Sequence, residues 1–313
     1  MSTMSSQATG SEIIRCQNDE RHRLLLAAFS EAYGHAKTIL AIQVAATVGG
    51  AVLASVVSAN WPGTKSWTVL YAVAVSLIDT FVLERMQARF RKLGSQLQEL
   101  FDGELFGLSW NQFAADDPPT PEEIAELGEA FLQKIPDAAW LRDWYPAEIH
   151  ALPLSYAVLV CQRTNCWWDQ RLRRRYLIGL VTLLMILAGG LTVYGLARHV
   201  TLEQFFLSVL APLWPALLWG FREAFKQHDA AESAGKLRTQ VEKLWTRYVE
   251  QPPPADELRW ELQAIQTEIQ RGRANRPLVF NWVHRLFRSR HQHLMQTGAA
   301  DIAARLQGNH SGA

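Results

Sequence analysis

The stretch YLIGLVTLLMILAGGLTVYGL, residues 176–196, contains 21 residues and no charged side chain. A helix rises about 1.5 Å per residue, so this run can cross the hydrocarbon core of a bilayer, which is about 30 Å thick. Three other runs are almost as apolar, and they cover residues 38–57, 67–82 and 202–221. None of the four shows the polar stripe that a soluble amphipathic helix carries.

A chain of 313 residues rarely has a core large enough to bury four such helices on every side. The sequence therefore predicts an all-α integral membrane protein. Its four transmembrane helices form two hairpins, and its cytoplasmic middle and C-terminal regions are helical. The polar stretch before residue 38 lacks the short apolar core and cleavage site of a secretory signal, so we expect none.

Basic residues are distributed unevenly around these runs, and the asymmetry predicts an orientation. The base of each hairpin is rich in arginine and lysine: Arg15, Arg21, Arg23 and Lys37; Arg85, Arg89, Arg91 and Lys92; Arg171, Arg173, Arg174 and Arg175; Arg222 and Lys226. The two tips carry only Lys65 and Arg198, although the net charge of +1 conceals this contrast. By the positive-inside rule, both termini and the long middle segment are cytoplasmic, and the tips face outward.

The predicted organisation has five parts in chain order. They are a cytoplasmic N-terminal helix (1–37), a first transmembrane hairpin (38–83), a cytoplasmic helical and aromatic region (84–175), a second transmembrane hairpin (176–221) and a cytoplasmic C-terminal helical region (222–313). Apolar residues at helical spacing predict cytoplasmic helices over 13–36, 84–100, 121–133, 154–176, 223–249, 256–271 and 277–294. Thr120, Pro121 and Glu123 form a helix-start signature. The aromatic, glycine-bearing stretch FDGELFGLSWN, residues 101–111, is expected to interrupt the second helix.

Signatures of catalysis are missing from the sequence. There is no Walker lysine loop, no GxGxxG, no HExxH and no GxSxG motif, so we expect no enzymatic activity, no cofactor and no metal site. His291 and His293 are two residues apart, so they point to different faces of a helix, and we interpret both as solvated. Three cysteines on the predicted reducing side are too few for a disulfide framework.

Polar residues inside the apolar runs are candidates for lining a pore. Asp79 lies towards the cytoplasmic end of the second run, and Gln43 lies in the first. A carboxylate is costly within a bilayer, which makes such residues functional candidates. Asp79 could instead reach the headgroups, and Gln43 could hydrogen-bond to another helix.

A second constellation precedes the third run. The stretch CQRTNCWWDQRLRRRY, residues 161–176, combines amides, tryptophans and arginines. Arginine forks suit phosphates and aromatic faces suit bases, so the stretch is a candidate nucleotide site. Its candidate ligand contacts are Gln162, Arg163, Asn165, Trp167, Arg173 and Arg174. The alternative is that these arginines set the topology and bind lipid headgroups, with the tryptophans as interfacial anchors.

Taken together, several stretches resemble the SMODS-associating four-transmembrane effectors of bacterial CBASS anti-phage operons. They are IIRCQNDERHRLLLAAFSEAYGHAK, FDGELFGLSWN, CQRTNCWWDQRLRRRY and the tail from LRWELQAIQ to RSRHQHLMQ, and their order relative to the four runs also fits. The resemblance covers nearly the whole chain, although none of its motifs is catalytic.

The resemblance implies a pore-forming effector in the bacterial inner membrane. A partner nucleotidyltransferase would make a cyclic oligonucleotide, and the effector would sense it and cause abortive infection. The implied partners are the lipid bilayer, the cyclic oligonucleotide and further copies of the chain, but no nucleic-acid polymer. Two rival interpretations are a constitutive small channel or transporter and a membrane-anchored interaction scaffold.

Overall fold

The computed structural model describes residues 8–197, 201–205 and 211–310. Within these residues the regular structure is helical, apart from an isolated β-bridge between Thr9 and Pro153. The described α-helices are α1 (Gly10–Cys16), α2 (Glu20–Val44), α3 (Gly50–Asn60), α4 (Lys65–Ile78), α5 (Glu84–Phe106), α6 (Gln112–Ala115), α7 (Pro121–Lys134), α8 (Leu154–Ala197), α9 (Leu202–Phe205), α10 (Ala211–Glu250), α11 (Ala255–Asn275) and α12 (Asn281–His310). The prediction of an all-α chain is confirmed.

Short π-helical segments join two pairs of these helices end to end. Ala45–Gly49 connects α2 to α3, and Asp79–Leu83 connects α4 to α5. Each pair therefore forms a nearly continuous rod that runs from the helical bundle into the apolar part of the molecule. The rods meet closely at Gly50, where the hydroxyl group of Tyr71 occupies the space that a Cβ atom would need.

Within the described residues, two helices are long and apolar enough to cross a membrane by length and composition, Glu20–Ala54 and Ser66–Phe106. In Ser66–Phe106, none of the apolar stretch is buried, and Trp67 is 71% exposed. The predicted third span is helical as far as Ala197, and its residue Met185 is 69% exposed. The second hairpin tip and part of the predicted fourth span, at residues 198–200 and 206–210, lie outside the described residues.

One large hydrophobic core joins three segments that the apolar runs separate in sequence. Leu25 of α2, Phe101 of α5, Val158 of α8 and Val241 of α10 are fully or almost fully buried in it, as is Ala299 of α12. The N-terminal, middle and C-terminal segments therefore form one helical bundle, because burial of apolar surface favours their packing.

Local sequence signals set several helix ends. The side chain of Thr120 accepts a hydrogen bond from the Glu123 backbone N–H, and the Glu123 carboxylate accepts one from the Thr120 N–H. This reciprocal capping box, with Pro121 in the first turn, begins α7 as the sequence predicts. At the C-terminus of α5, Gly107 follows the last helical residue and adopts the left-handed helical conformation with a φ of 64°.

Two helix predictions in the N-terminal half of the chain need correction. The helix expected over 13–36 is broken between α1 and α2, because Gln17 and Asn18 use their side chains to bond the turn at Asp143–Tyr145 instead of continuing the helix. The stretch 101–111 was expected to interrupt α5, but the helix continues through Phe106. The chain leaves the helix only after Phe106, because Phe101 and Phe106 are both buried in the core.

Candidate functional site

Two predicted ligand residues of α8 donate hydrogen bonds into the interior of the bundle, Gln162 from a fully buried position and Asn165 from a half-buried one. Gln162 is fully buried, and its Nε2 donates to the Leu262 carbonyl at 2.8 Å and to the Gln266 Oε1 at 3.2 Å. Asn165 donates from Nδ2 to the Tyr145 hydroxyl at 2.9 Å. Both amides therefore belong to a buried polar network, and their donors are directed at protein partners.

Asp102 is the centre of this network and is 0% exposed. Its Oδ1 accepts from the Tyr145 hydroxyl at 2.6 Å, and its Oδ2 accepts from Arg273 Nη1 at 2.6 Å and from Gln266 Nε2 at 3.2 Å. Burial is the largest single influence and acts to lower the pKa of Arg273, but the charge and hydrogen bond of Asp102, together with Tyr145 and Glu99, outweigh it, so that pKa is raised. A buried carboxylate with this many donors is compensated, and its ion pair joins α5 to α11.

A second carboxyl group lies beside Asp102 and has no ion-pair partner in the part of the chain that the structure describes. Glu99 is 5% exposed, and its Oε2 accepts from Gln266 Nε2 at 2.8 Å. Burial, and then the negative charge of Asp102, raise the pKa of Glu99 to about 8. Glu99 is therefore mainly protonated at pH 7.

Arg173, another predicted ligand contact, holds three elements together. Its guanidinium donates to Asp169 Oδ1 at 2.8 Å, to Gln227 Oε1 at 2.9 Å and to the Pro277 carbonyl at 2.7 Å. Gln227 in turn donates to the Leu278 carbonyl at 2.9 Å. Residues 277–280 have no regular secondary structure, so α12 begins at Asn281 and not at residue 277 as predicted.

Arg163 and Arg174 lie on the surface that α8 shares with α10. Arg163 pairs with Glu242 at 2.7 Å, and Arg174 approaches Glu232 at 3.4 Å. Each of these carboxylates lines an open groove along α10, with volumes of about 580 and 660 Å³ respectively. The grooves have mixed charge, and both arginines are balanced by an acidic partner.

Trp167 lies on a different side of α8, in the seam with α12. Its ring meets that of His291 edge to face at 5.8 Å, and Trp168 meets the same histidine at 5.4 Å. Phe287 stacks on His291 at 5.9 Å. The interpretation of His291 as solvated was wrong, because it is 2% exposed, whereas His293 is exposed on another face of α12.

Three cations surround His291 in this seam. Burial, and then the charges of Arg171, Arg175 and Arg290, lower the pKa of His291 to about 4. Arg175 stacks over Phe287 with 5.4 Å between the guanidinium carbon and the ring centroid. The sequence placed Arg171 and Arg175 in a basic cluster, as either nucleotide contacts or topology signals, and did not point to Arg290, which only the packing of α12 on α8 brings near them.

The candidate pore residues are brought together by the first hairpin. Gln43 lies just before the first π-helical segment, and its side chain approaches the carboxyl group of Asp79, the first residue of the second segment. Gln87, which the sequence did not single out, donates to Gln43 Oε1 at 3.1 Å. One carboxylate oxygen of Asp79 is buried with no hydrogen-bond partner among the described residues.

The predicted ligand residues therefore do not line a common cavity. Gln162 and Asn165 bond inside the bundle, Arg173 ties α8 to residues 227 and 277, and Arg163 and Arg174 face α10. Their role as ligand contacts remains a prediction.

The remaining potential metal ligands and nucleophiles, including the three cysteines, have the surroundings of ordinary structural residues. The described residues include no group of three or more His, Cys, Asp or Glu side chains that could hold a metal ion. Cys16, Cys161 and Cys166 are free thiols, and burial raises the pKa of Cys166 to about 12. A buried, protonated thiol is a poor nucleophile.

Long helices that expose apolar faces and continue into a polar-surfaced bundle define a helical membrane protein. The family model for the SMODS-associating 4TM effector domain matches residues 11–302, so the chain belongs to this family. The resemblance noted from the sequence is confirmed. Family membership and the apolar helices place the protein in a membrane and support a membrane effector role in anti-phage defence.

A curated relative from Bacillus cereus (strain VD146) is described as a probable CBASS effector molecule. It is 24% identical over 227 residues, which cover 70% of this chain and 76% of the relative. No solved structure matches the chain.

Proposed function

We propose that this protein senses a cyclic oligonucleotide on its cytoplasmic bundle and then permeabilises the bacterial inner membrane, which causes abortive infection. Four transmembrane helices form two hairpins, and both termini and residues 84–175 are cytoplasmic. The family and its curated relative support the assignment to anti-phage defence.

The shared core supports this topology. Residues before the first apolar run, between the second and third runs, and after the fourth run pack into one bundle. Segments that pack together lie on the same side of a membrane, so each hairpin crosses the bilayer and returns. The arginine-rich hairpin bases support the assignment of that side to the cytoplasm.

The observation that carries the proposal is the continuity between bundle and spans. α8 runs unbroken from Leu154 in the bundle core to Ala197 in the third apolar run, and α10 continues from the fourth run to Glu250. The two helices pack along each other. A ligand that changes how they pack in the bundle would move their membrane segments directly, in proportion to its preference for the open state.

The pore is formed by several copies of the chain. A single subunit offers few polar side chains in its apolar runs, which is too few to enclose a water path. The cluster of Gln43, Asp79 and Gln87 provides one polar patch per subunit. Association would place these patches around a common axis.

Leakage of dye from proteoliposomes tests the function. The purified full-length chain is reconstituted into vesicles of phosphatidylcholine and phosphatidylglycerol, and release of a trapped dye is followed with and without a panel of cyclic di- and trinucleotides. We expect release only with one of the cyclic nucleotides. Release without any ligand would favour a constitutive channel, and no release under any condition would favour a scaffold.

A further inference from the structure

Among the described residues, the seam between α8 and α12 holds three arginines that no acidic side chain pairs with. Arg173 and Arg174 of α8 pair with Asp169 and Glu232. Among the described residues, however, Arg171, Arg175 and Arg290 have no carboxylate partner, and the charges that act on His291 are those of these three arginines. Like charges held together without a counter-ion repel each other, so the seam favours an anion.

Buried nitrogen atoms in the same seam lack partners. His291 is 2% exposed, and its Nδ1 has no hydrogen-bond partner among the described residues. The Nε of Arg171, one turn from Trp167 and Trp168, is likewise buried without one. A buried polar atom of this kind is costly unless something bonds to it, and both atoms belong to the cationic cluster.

Aromatic rings line the seam beside these charges. Trp167, Trp168 and Phe287 surround His291 through ring contacts between 5.4 and 5.9 Å. Aromatic faces next to arginines suit a ligand that carries both a phosphate and a planar or apolar group.

We propose that Arg171, Arg175 and Arg290, grouped around His291, form a binding site for a phosphodiester anion in the α8–α12 seam. The phosphodiester belongs either to a cyclic oligonucleotide or to the headgroup of an anionic phospholipid, because Arg175 directly precedes the third apolar run. The nucleotide source rests on the function proposed above, whereas the site itself does not.

Binding to full-length protein in nanodiscs separates the two sources. In the first arm, the discs contain only phosphatidylcholine, and cyclic di-AMP, cyclic di-GMP and cyclic tri-AMP are titrated by calorimetry. In the second arm, no nucleotide is added, and native mass spectrometry counts phosphatidylglycerol molecules retained from a mixed bilayer. Both arms compare wild type with Arg290→Ala and Arg171→Ala.

Arg285→Ala is the matched control. Arg285 is also exposed on α12, but it does not act on His291. Loss of one charge-assisted contact should weaken binding about tenfold or more in Arg290→Ala and leave Arg285→Ala unchanged. Arg290 is exposed, so its removal should leave the fold intact, which thermal unfolding checks.

Each outcome decides a separate point. A tenfold loss for a cyclic nucleotide supports the site with a nucleotide as its ligand. A loss of retained phosphatidylglycerol without nucleotide binding supports the site with a lipid as its ligand. If Arg290→Ala and Arg285→Ala behave alike in both arms, the proposed site is wrong. The proposed function would still stand in that case if a cyclic nucleotide triggers dye release from proteoliposomes.

Discussion

Glu99 offers a quantitative test of the buried network in the cytoplasmic bundle. Its carboxyl group is buried beside the charged Asp102, and its pKa is raised to about 8 from an ordinary value of 4.5. The substitution Glu99→Gln keeps the shape and the acceptor oxygen that Gln266 bonds at 2.8 Å. It removes the ability to ionise, so it should stabilise the protein at neutral pH.

The size of the effect follows from proton linkage. Below pH 4.5 the carboxyl group is protonated in both the folded and the unfolded chain, so it costs nothing. Between pH 4.5 and 8 the unfolded chain releases the proton while the folded chain retains it, and stability falls as the pH rises. At pH 7 this difference amounts to about 3 kcal/mol, taking about 1.4 kcal/mol for each pKa unit.

Thermal unfolding of the purified chain in detergent micelles, followed by tryptophan fluorescence, measures this difference. We expect Glu99→Gln to unfold about 5 °C or more above wild type at pH 7, with a smaller gap at pH 5.5 and a larger one at pH 8.5. Glu129→Gln, on the exposed face of α7, is the matched control and should unfold at the same temperature as wild type at each pH. A gap that is independent of pH, or a less stable Glu99→Gln at pH 8.5, would refute the reasoning.

Three further perturbations test other parts of the structure. Tyr145→Phe removes the hydroxyl that donates to Asp102 at 2.6 Å, so urea unfolding should show a loss of about 1.5–3 kcal/mol; an unchanged midpoint would exclude this bond as a stabilising one. Gly10→Ala places a Cβ atom 2.1 Å from the Ile149 carbonyl oxygen, and we expect faster proteolysis of the N-terminal helix, whereas Ala8→Gly should behave like wild type. Asp79→Asn should reduce the cation preference of the proposed pore in reversal-potential measurements, and an unchanged potential would place Asp79 outside the ion path.

The parts of the fold that the sequence predicts well are those set by local chemistry. Apolar length and helical spacing identify the long helices, because a helix in either lipid or a bundle must satisfy its backbone internally. The capping box at Thr120 was equally predictable, since its two hydrogen bonds join residues only three positions apart. The break between α1 and α2 was not predictable, because it depends on partners more than 120 residues away in sequence.

The candidate site could be predicted less well than the helices, because it depends even more on contacts between residues that are distant in sequence. Four arginines between positions 171 and 175 look equivalent in the sequence, yet Arg173 is enclosed by Asp169, Gln227 and the Pro277 carbonyl, while Arg171 and Arg175 face α12. Which of them is neutralised depends on the rotation of α8 within the bundle. The burial of His291 was missed for the same reason, because its neighbours Trp167 and Trp168 lie on another helix.

The number of unpaired arginines is of the right order for a ligand switch. Shifting a closed protein from about 1% to about 99% open requires a ligand that prefers the open state by roughly 5.5 kcal/mol. A charge-assisted hydrogen bond contributes about 1.5–3 kcal/mol, so two to four such contacts that form only in the open state would suffice. Arg171, Arg175 and Arg290 can supply that number, and they lie on both sides of a seam whose α8 half continues into the third apolar run. An anion that draws the two helices together there would act on the membrane segment without any intervening linker.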